Sequence, residues 1–449
     1  MLWRWIPTLY FTQALPYAVV MSLAVVMFKD LALSNAEIAW ITGWFYLPWV
    51  IKPLWSPLLT LFAGERHWTL WMQAFISFCF ACIVMVLMAQ SSSWLLAVVG
   101  LMWAIAFASA THDVAADGFY LRILDPGSQA RFVGVRSLAF RLAMLSVSGG
   151  VVSFVGLLLE RSDKPFEAWS IAFLMIALGM GLLACWHHIA LPRYAEPQFQ
   201  TDDLIRQDEH HRPVALSAPA RGNGPPQARS IGSILVRALA QYRVVLFDFF
   251  QQSNLWPTLC FLLFYRFSES QLLRLLIPFL MDSEIRGGMA LSHAELGLSY
   301  GGLGVVALSL GGLWGGYCIA RWGLRRLLWP MVWCLNVPNL AYALLAWDPL
   351  TGKSWAFAAI ALEQLGYGFG FAGYLVFMMR VSEGQHATAH YAICTGLMAL
   401  GMMLPGMPAG WIQMQVGYPG FFAWVLISTV PSFISVMWVM KRGLGLESR

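Results

Sequence analysis

The feature that most constrains the fold is the recurrence of apolar runs of about twenty residues, the length that crosses a bilayer as an α-helix. The twelve runs lie at roughly 5–28, 37–62, 68–90, 94–121, 131–159, 168–190, 254–281, 293–320, 326–346, 354–380, 387–414 and 418–440. Only 11% of the residues are charged, against about a quarter in soluble domains. The first run is longer than the core of a signal peptide, so we expect it to remain as a membrane helix. The sequence therefore predicts an all-α, multi-pass membrane protein.

A polar stretch divides the runs into two sets of six. Residues 194–230 are rich in Pro, Gly and charge, which is typical of a disordered linker, and 230–247 have the pattern of an amphipathic helix lying on a membrane surface. We therefore expect an N-terminal half at 1–190, a linker at 191–245 and a C-terminal half at 246–449.

The basic residues between the runs predict the orientation. If the N-terminus is cytoplasmic, nineteen Lys and Arg residues fall on the cytoplasmic side and five on the other. Membrane proteins place the excess of Lys and Arg inside. Both termini and the linker are therefore predicted to be cytoplasmic. The basic residues are dispersed over short loops, so we expect no nucleic-acid partner.

Among the charged residues that fall within the runs, we single out eight. They are Lys52, Asp113, Asp117, Arg141, Arg266, Glu269, Arg274 and Glu363. An unpaired charge at the centre of a membrane helix costs about 2.5–3.5 kcal/mol on insertion scales, so such residues pair or line a polar cavity. Structural ion pairs that only fix the helix register are the alternative, and the sequence leaves it open.

The depth of each charge follows from the 1.5 Å rise per helical residue. Lys52, Asp113 and Arg141 all come to roughly 12–15 Å from the cytoplasmic end, which predicts a cluster of the three. Asp117 lies nearer the cytoplasmic mouth. His112 points about 100° away from Asp113 around the helix, so a packing role and a proton relay are both open.

In the second half the acids are Glu269 and Glu363. Arg266 lies one turn from Glu269 on the same helix and can pair with it. Arg274 is closer to the outer edge, where we expect its side chain to extend to the membrane surface. The seven cysteines all lie inside apolar runs without metal-ligand spacing, so we expect neither a metal nor an organic cofactor.

The two-half layout resembles the major facilitator superfamily, which implies twelve transmembrane helices in two six-helix halves with cytoplasmic termini. The segment "GGYCIARWGLRRLLW" at 315–329 is similar to the G-x-x-x-D-R-x-G-R-R signature of that superfamily. Ala320 stands at its acidic position, so part of the charge network is missing. The resemblance implies two halves that rock around a central site.

A narrower resemblance is to AmpG-like muropeptide permeases. The stretch from Asp113 through Asp117 and Arg141 to "MLSVSGG" is similar to their helix 4–5 region, and "KPLWSP" from Lys52 to their helix 2. "FYRFSES" is similar to Y-K-x-x-D and "LEQLGYGFG" to F-E-N-x-x-x-G-x-G. His112, Tyr120 and Arg122 depart from the pattern. Siderophore importers and acetyl-CoA transporters share these motifs more loosely.

The resemblance implies a proton-coupled importer of anhydromuropeptides in the inner membrane of a bacterium, monomeric and without cofactor. The residues that we assign to proton coupling are Asp113, Glu269 and Glu363. Those assigned to substrate binding or charge pairing are Lys52, Arg141, Arg266, Gln13, His112 and Asp117. Those assigned to gating are Arg122, Arg131, Gly316, Arg321, Arg325 and Arg326.

Two alternatives remain open at this point. The cargo could be a siderophore or another amphipathic metabolite. The chain could also be a membrane acyltransferase, with "THDVAADG" supplying a His-Asp pair, although the two-half layout argues against an enzyme.

Overall fold

The computed structural model describes residues 2–124, 126–193, 243, 247–251, 254–347, 352–383 and 387–443. The side chains of 57, 58, 60–62, 126, 127, 129–131, 133, 134 and 387–389 are not described. The predicted linker, with its amphipathic helix, lies outside the described residues except for 191–193 and Arg243.

The described chain is helical, with no strand in the ranges given above. The helices of the N-terminal half are α1 (Ile6–Ala18), α2 (Ala24–Asp30), α3 (Asn35–Trp44), α4 (Leu47–Phe62), α5 (Glu65–Ala89), α6 (Trp94–Ile123), α7 (Pro126–Leu145), α8 (Val152–Ser162) and α9 (Pro165–Ala190). Those of the C-terminal half are α10 (Leu255–Phe264), α11 (Phe267–Met281), α12 (His293–Leu296), α13 (Val305–Trp322), α14 (Leu324–Asn336), α15 (Asn339–Trp347), α16 (Lys353–Val381), α17 (Ala387–Gly406), α18 (Ala409–Ile427) and α19 (Val430–Arg442).

Eight helical stretches within the described ranges are long and apolar enough to cross a membrane. They are Leu2–Asp30, Glu65–Ala89, Trp94–Ile123, Val135–Ser162, Pro165–Ala190, His293–Trp322, Leu324–Trp347 and Ala409–Arg442. Their outer surfaces expose large apolar side chains such as Leu96 and Ile189, as expected where lipid replaces water. The count of twelve spans and the cytoplasmic placement of the termini stay predictions.

Several predicted spans contain a break in the helix. The α3–α4 break precedes Pro48, and α10 and α11 are separated at Tyr265 and Arg266, where the Arg266 backbone has φ −109° and ψ 24°. Gly417 has a left-handed φ of 69°, and Pro419 follows it, so the long stretch Ala409–Arg442 bends there. This bend falls between the two last predicted spans.

The bundle has two ends, which we name from the chain termini. At the terminal end, Trp186 donates to the Arg4 carbonyl oxygen at 3.0 Å, which places the end of α9 beside the N-terminus. At the far end, Trp94 packs on Phe166, with ring centroids 5.3 Å apart. The α2–α3, α5–α6 and α8–α9 connections lie at this far end.

Small residues let the two halves approach closely. A Cβ atom on Gly301 would collide with the backbone of Gly149, and one on Gly410 would collide with the backbone of Asn35. Contacts of this kind between small residues are a common way of packing membrane helices. They join α3 to α18 and the π-helical segments Ser146–Val151 and Gly297–Gly304 to each other.

Candidate functional site

The carboxylate of Asp113, on α6, is held by two side chains of α4. Trp49 Nε1 donates to Asp113 Oδ2 at 3.0 Å, and Lys52 Nζ lies 3.9 Å from the same oxygen. Trp49 and Lys52 are three residues apart, so they project from one face of α4. The side chains of Lys52 and Asp113 remain 23% and 16% exposed, so their neighbours do not bury them completely. Gln13 lies beside the same carboxylate.

Arg141, the third member of the predicted cluster, points elsewhere. Its guanidinium reaches across to the C-terminal half, where a Cβ on Gly312 would lie 3.3 Å from Nη2. Within the part of the chain that the structure describes, Arg141 has no hydrogen-bonded or ion-paired partner, and its side chain is partly exposed. The structure therefore brings Lys52 and Asp113 together and leaves Arg141 as a separate cation between α7 and α13.

Arg266 and Glu269 form a bidentate ion pair in the C-terminal half. Arg266 Nε and Nη2 lie 3.0 and 2.8 Å from the two carboxylate oxygens. The helix break at Arg266 turns its side chain back over α11, and the guanidinium also donates to the Tyr367 hydroxyl at 2.9 Å. It lies 4.7 Å from the centroid of the Phe371 ring. Both charged groups are buried, and each compensates the charge of the other.

Glu363, on α16, has no basic neighbour among the described residues. It is 2% exposed, and one carboxylate oxygen accepts from Gln364 Nε2 at 2.9 Å. Tyr300 and Tyr342 lie close enough to interact with its charge. A buried carboxyl group without a cation beside it is most stable as the neutral acid.

The expectation that Arg274 extends to the membrane surface is wrong. Arg274 is only 5% exposed and points inward, because α11 turns this face toward the N-terminal half. Its Nη1 donates to the Thr42 hydroxyl at 3.0 Å, and its guanidinium lies 4.8 Å from the centroid of the Tyr46 ring. Counting along a helix gives the depth of a residue but not the direction in which it points.

His112 points into the N-terminal half, to Gln73, instead of to Asp113. Its Nε2 is 2.9 Å from Gln73 Nε2, and Gln73 Oε1 is 2.9 Å from His187 Nδ1. His187 Nε2 in turn lies 3.0 Å from the Thr8 hydroxyl. His112, Gln73 and His187 are fully buried. This buried chain links α1, α5, α6 and α9.

Near the terminal end, Asp117 is held by Arg136 and Tyr10. Arg136 Nη2 and the Tyr10 hydroxyl donate to Asp117 Oδ1 at 2.7 and 3.0 Å. The Arg136 guanidinium lies between the Tyr10 and Tyr120 rings, 4.1 and 4.3 Å from their centroids. Sequence reasoning counted Arg136 only among the cytoplasmic basic residues and missed this role. The signal available was a pair of tyrosines at depths matching Asp117 and Arg136.

The residues predicted to gate lie around the terminal end. Arg122 Nη2 pairs with Glu65 at 2.7 Å, within one half. Arg321, Arg325 and Arg326 are exposed, and the side chain of Arg131 lies outside the described residues. Gly316 has open space beside it.

The glycines of α13 that pack closely against a neighbouring helix are at other positions than Gly316. A Cβ on Gly315 would lie 2.8 Å from the Phe369 carbonyl oxygen, and one on Gly311 would collide with the Leu365 carbonyl oxygen. The α13–α16 contact therefore depends on Gly311 and Gly315.

One ion pair and one histidine–carboxylate hydrogen bond join the halves at the far end. Lys29 Nζ lies 2.8 Å from Asp282 Oδ1, and His293 Nε2 lies 2.8 Å from Asp30 Oδ2. Trp169 Nε1 also donates to Asp30, at 3.0 Å. The far end is therefore closed by polar contacts between the two halves, one of which joins opposite charges.

Two helical halves that carry buried charges and meet through separable contacts define a membrane transporter. Residues 8–406 match the Major Facilitator Superfamily, and the chain belongs to this family. The homologues and structural neighbours are transporters, so the acyltransferase alternative is set aside and the chain is not an enzyme.

Among curated relatives, the chain is similar to the anhydromuropeptide permease of Escherichia coli (strain K12). The two are 25% identical over 425 residues, which is 91% of this chain and 76% of the relative. A putative transporter of Rickettsia felis named AmpG 4 is 20% identical over 443 residues, covering 96% of this chain and 94% of the relative.

Among solved structures, a bacterial homologue of the human lysosomal transporter Spinster has a similar fold. It aligns with TM-score 0.62 and 15% identity over 99% of this chain and 97% of that chain. This likeness supports the fold alone.

Proposed function

We propose that the chain is a proton-coupled importer of peptidoglycan-derived anhydromuropeptides in the inner membrane of a bacterium. The observation that carries the proposal is the imbalance of charges in the central region. Lys52 is near Asp113 and Arg266 is paired with Glu269, which leaves Glu363, Arg141 and Arg274 without a partner of opposite charge in the described residues. Glu363 is thus available for a proton, and the partly exposed Arg141 for an anionic cargo.

Arg141 supports an anionic cargo. A guanidinium presents planar N–H donors that match a carboxylate, and an unpaired one inside a membrane bundle is costly unless it serves a ligand. The peptide part of an anhydromuropeptide carries carboxylates. The 25% identity to an anhydromuropeptide permease supports the same class of cargo.

Aromatic side chains around Tyr17 support a cargo with a sugar ring. The Tyr17 ring lies beside those of Trp49 and Phe140, with centroid distances of 5.4 and 6.1 Å. Flat apolar faces of this kind suit the sugar ring of such a cargo.

Glu363 supports coupling to protons. Its proton affinity depends on whether a basic group stands beside it, and rocking of the halves changes the neighbours of every residue at their interface. Asp113 and Glu269 already have basic neighbours in this state. We therefore assign the transported proton to Glu363 first. Transport then requires no cofactor, and the proton gradient supplies the energy.

The test is uptake of a radiolabelled anhydromuropeptide into proteoliposomes that contain the full chain. An inside-alkaline pH gradient should drive accumulation above the external concentration, and a protonophore should abolish it. Equal accumulation with and without the pH gradient would contradict proton coupling. No accumulation of the muropeptide, with accumulation of a ferric siderophore in the same vesicles, would favour the alternative cargo.

A further inference from the structure

Arg274 is a buried cation that the proposed function does not use. It is 5% exposed, and no carboxylate pairs with it within the described part of the chain. Its Nη2 is buried and makes no hydrogen bond there. The neighbours one turn away on its own face of α11 are buried and uncharged: Ser270, Gln271, Ile277 and Pro278. An uncompensated guanidinium in such surroundings is expensive, and residues of this kind inside membrane proteins are by default functional.

The contacts that Arg274 does make come from the opposite half. Thr42 lies on α3, and its hydroxyl already donates to the Ile38 carbonyl oxygen at 2.7 Å, so it serves Arg274 as an acceptor. Tyr46 lies in the α3–α4 break and covers the guanidinium with its ring. Neither partner is charged. Both are weaker partners for a guanidinium than a carboxylate would be.

Opening of the far end removes these partners together. Thr42 and Tyr46 move with the N-terminal half and Arg274 with the C-terminal half. The Lys29–Asp282 pair and the Gly410–Asn35 contact join the same two halves at the far end. Separation there leaves the Arg274 guanidinium uncovered in the cavity that faces the far side.

We propose that Arg274 binds a carboxylate of the cargo when the far end is open, and that Thr42 and Tyr46 occupy the guanidinium when the far end is closed. The inference rests on the proposed function, since it takes the cargo to be an anionic muropeptide. In the state that is closed at the far end, Arg141 is then the residue that binds the cargo carboxylate. The cargo binds through a different arginine in each of the two states.

The experiment compares a muropeptide with its neutral form on each face of the membrane. Full-length protein is reconstituted in one orientation, and KM is measured from the far side and from the terminal side. The two probes are an anhydromuropeptide with free peptide carboxylates and the same compound with those carboxylates converted to primary amides. The variants are Arg274→Gln, Arg274→Lys and, as an exposed arginine at the same end, Arg161→Gln.

We expect Arg274→Gln to raise the far-side KM of the free acid about tenfold or more, which corresponds to about 1.4 kcal/mol. The far-side KM of the amide and the terminal-side KM of both probes should stay within about twofold of wild type. Arg274→Lys keeps the charge but loses the planar fork, so it should give a smaller rise. It also provides a folded variant if the glutamine variant is unstable. Arg161→Gln should behave as wild type.

Two results would overturn the inference. If Arg274→Gln raised the KM of acid and amide equally, or equally on both faces, the residue would only hold the helices together. If wild type did not prefer the acid at the far side, no anion site would exist there. Failure of wild type to transport either probe would instead contradict the proposed cargo, and the inference would fall with it.

Discussion

Lys29 Nζ and Asp282 Oδ1 lie 2.8 Å apart and connect the end of α2 to the residue that follows α11. The contact is extended by Asn35 and Tyr418. The Tyr418 hydroxyl donates to Asp282 Oδ2 at 2.6 Å, and Lys29 donates to Asn35 Oδ1 at 2.8 Å. We name Lys29, Asn35, Asp282 and Tyr418 the far-end latch. It is largely buried and joins the two halves at the far end, the side that must open for the import that we propose.

The first prediction is that Lys29→Ala weakens closure of the far end. Removing one partner of a buried ion pair costs about 3–5 kcal/mol, because the other charge is left uncompensated. The population open at the far end should therefore rise by about a hundredfold to a few thousandfold. Distances between spin labels placed on the far ends of the two halves measure this population.

The matched control for the latch is Lys164→Ala. Lys164 pairs with Glu167 at 2.8 Å, but the two side chains are 62% and 53% exposed, and exposed pairs contribute about 0–1 kcal/mol. Equal distance distributions in the two variants would show that the latch does not hold the far end.

The second prediction concerns the pH dependence of the latch. Burial disfavours the charged form of Asp282, but the hydrogen bonds from Lys29 and Tyr418 outweigh it and hold the pKa of Asp282 below its ordinary value. A lowered carboxyl pKa contributes stability above the ordinary pKa, and this stability is lost only as pH falls through the lowered value. The latch should therefore stay closed down to about pH 4. The same spin-label distances, measured from pH 7 to pH 4, should not change, and opening between pH 7 and 5 would contradict the assignment.

The third prediction is that Glu363→Gln uncouples transport from protons. The substitution keeps the size of the side chain and its contact with Gln364 but removes the titrating group. Muropeptide should then equilibrate across the membrane without accumulating against its gradient, while counterflow exchange continues. Glu167→Gln, at an exposed acid, is the control and should accumulate muropeptide normally. If the Glu363→Gln variant still accumulated muropeptide, the transported proton would be assigned to Asp113 or Glu269 instead.

The outcomes for these residues indicate how far sequence reasoning reaches. The distances of Lys52 and Asp113 from the helix ends placed them at one depth, and the structure places Lys52 Nζ 3.9 Å from Asp113 Oδ2. Arg141 shares their depth but points to Gly312 of the other half. Whether two residues at the same depth meet depends on helix rotation, and one sequence does not define the rotation of neighbouring helices. The pairing of Arg266 with Glu269 could be predicted from the sequence, because the two residues lie three positions apart in the same segment.

The unknown rotation of the helices also explains why the expectation for Arg274 was wrong and why the motif around Gly316 was an incomplete guide to helix packing. Arg274 was expected at the membrane surface because it lies near a helix end, yet the break at Arg266 and the packing of α11 on α3 turn it inward. For Gly316, the motif indicated small residues on α13 but not which of them face α16. Those are Gly311 and Gly315, and Gly316 has open space beside it.

The fourth prediction is that Gly301→Ala impairs both stability and transport. The Cβ atom of an alanine at position 301 would collide with the backbone of Gly149, so the two π-helical segments must separate. Overpacking of this kind costs about 1–3 kcal/mol. Gly302→Ala is the matched control, since the nearest atom to its Cβ, the Gly297 carbonyl oxygen, is 3.8 Å away. The thermal unfolding midpoint in detergent and the initial uptake rate should fall for Gly301→Ala alone.

The last prediction decides between the two roles that the sequence left open for His112. If His112 has a packing role, Gln73→Leu should lower stability and leave transport kinetics intact. The variant removes the amide between His112 and His187 and leaves polar ring atoms buried without partners. Each such atom costs about 1–3 kcal/mol.

The readouts are the thermal unfolding midpoint and the KM and pH profile of uptake. Thr111→Val is the control on the same helix, because Thr111 only donates to the Phe107 carbonyl oxygen of its own helix, at 2.9 Å. A lower midpoint for Gln73→Leu, with unchanged KM and pH profile, would assign the His112 chain to packing of the N-terminal half. A shifted pH profile at an unchanged midpoint would assign His112 to proton transfer, because the loss of Gln73 would then change a step of the transport cycle without weakening the fold.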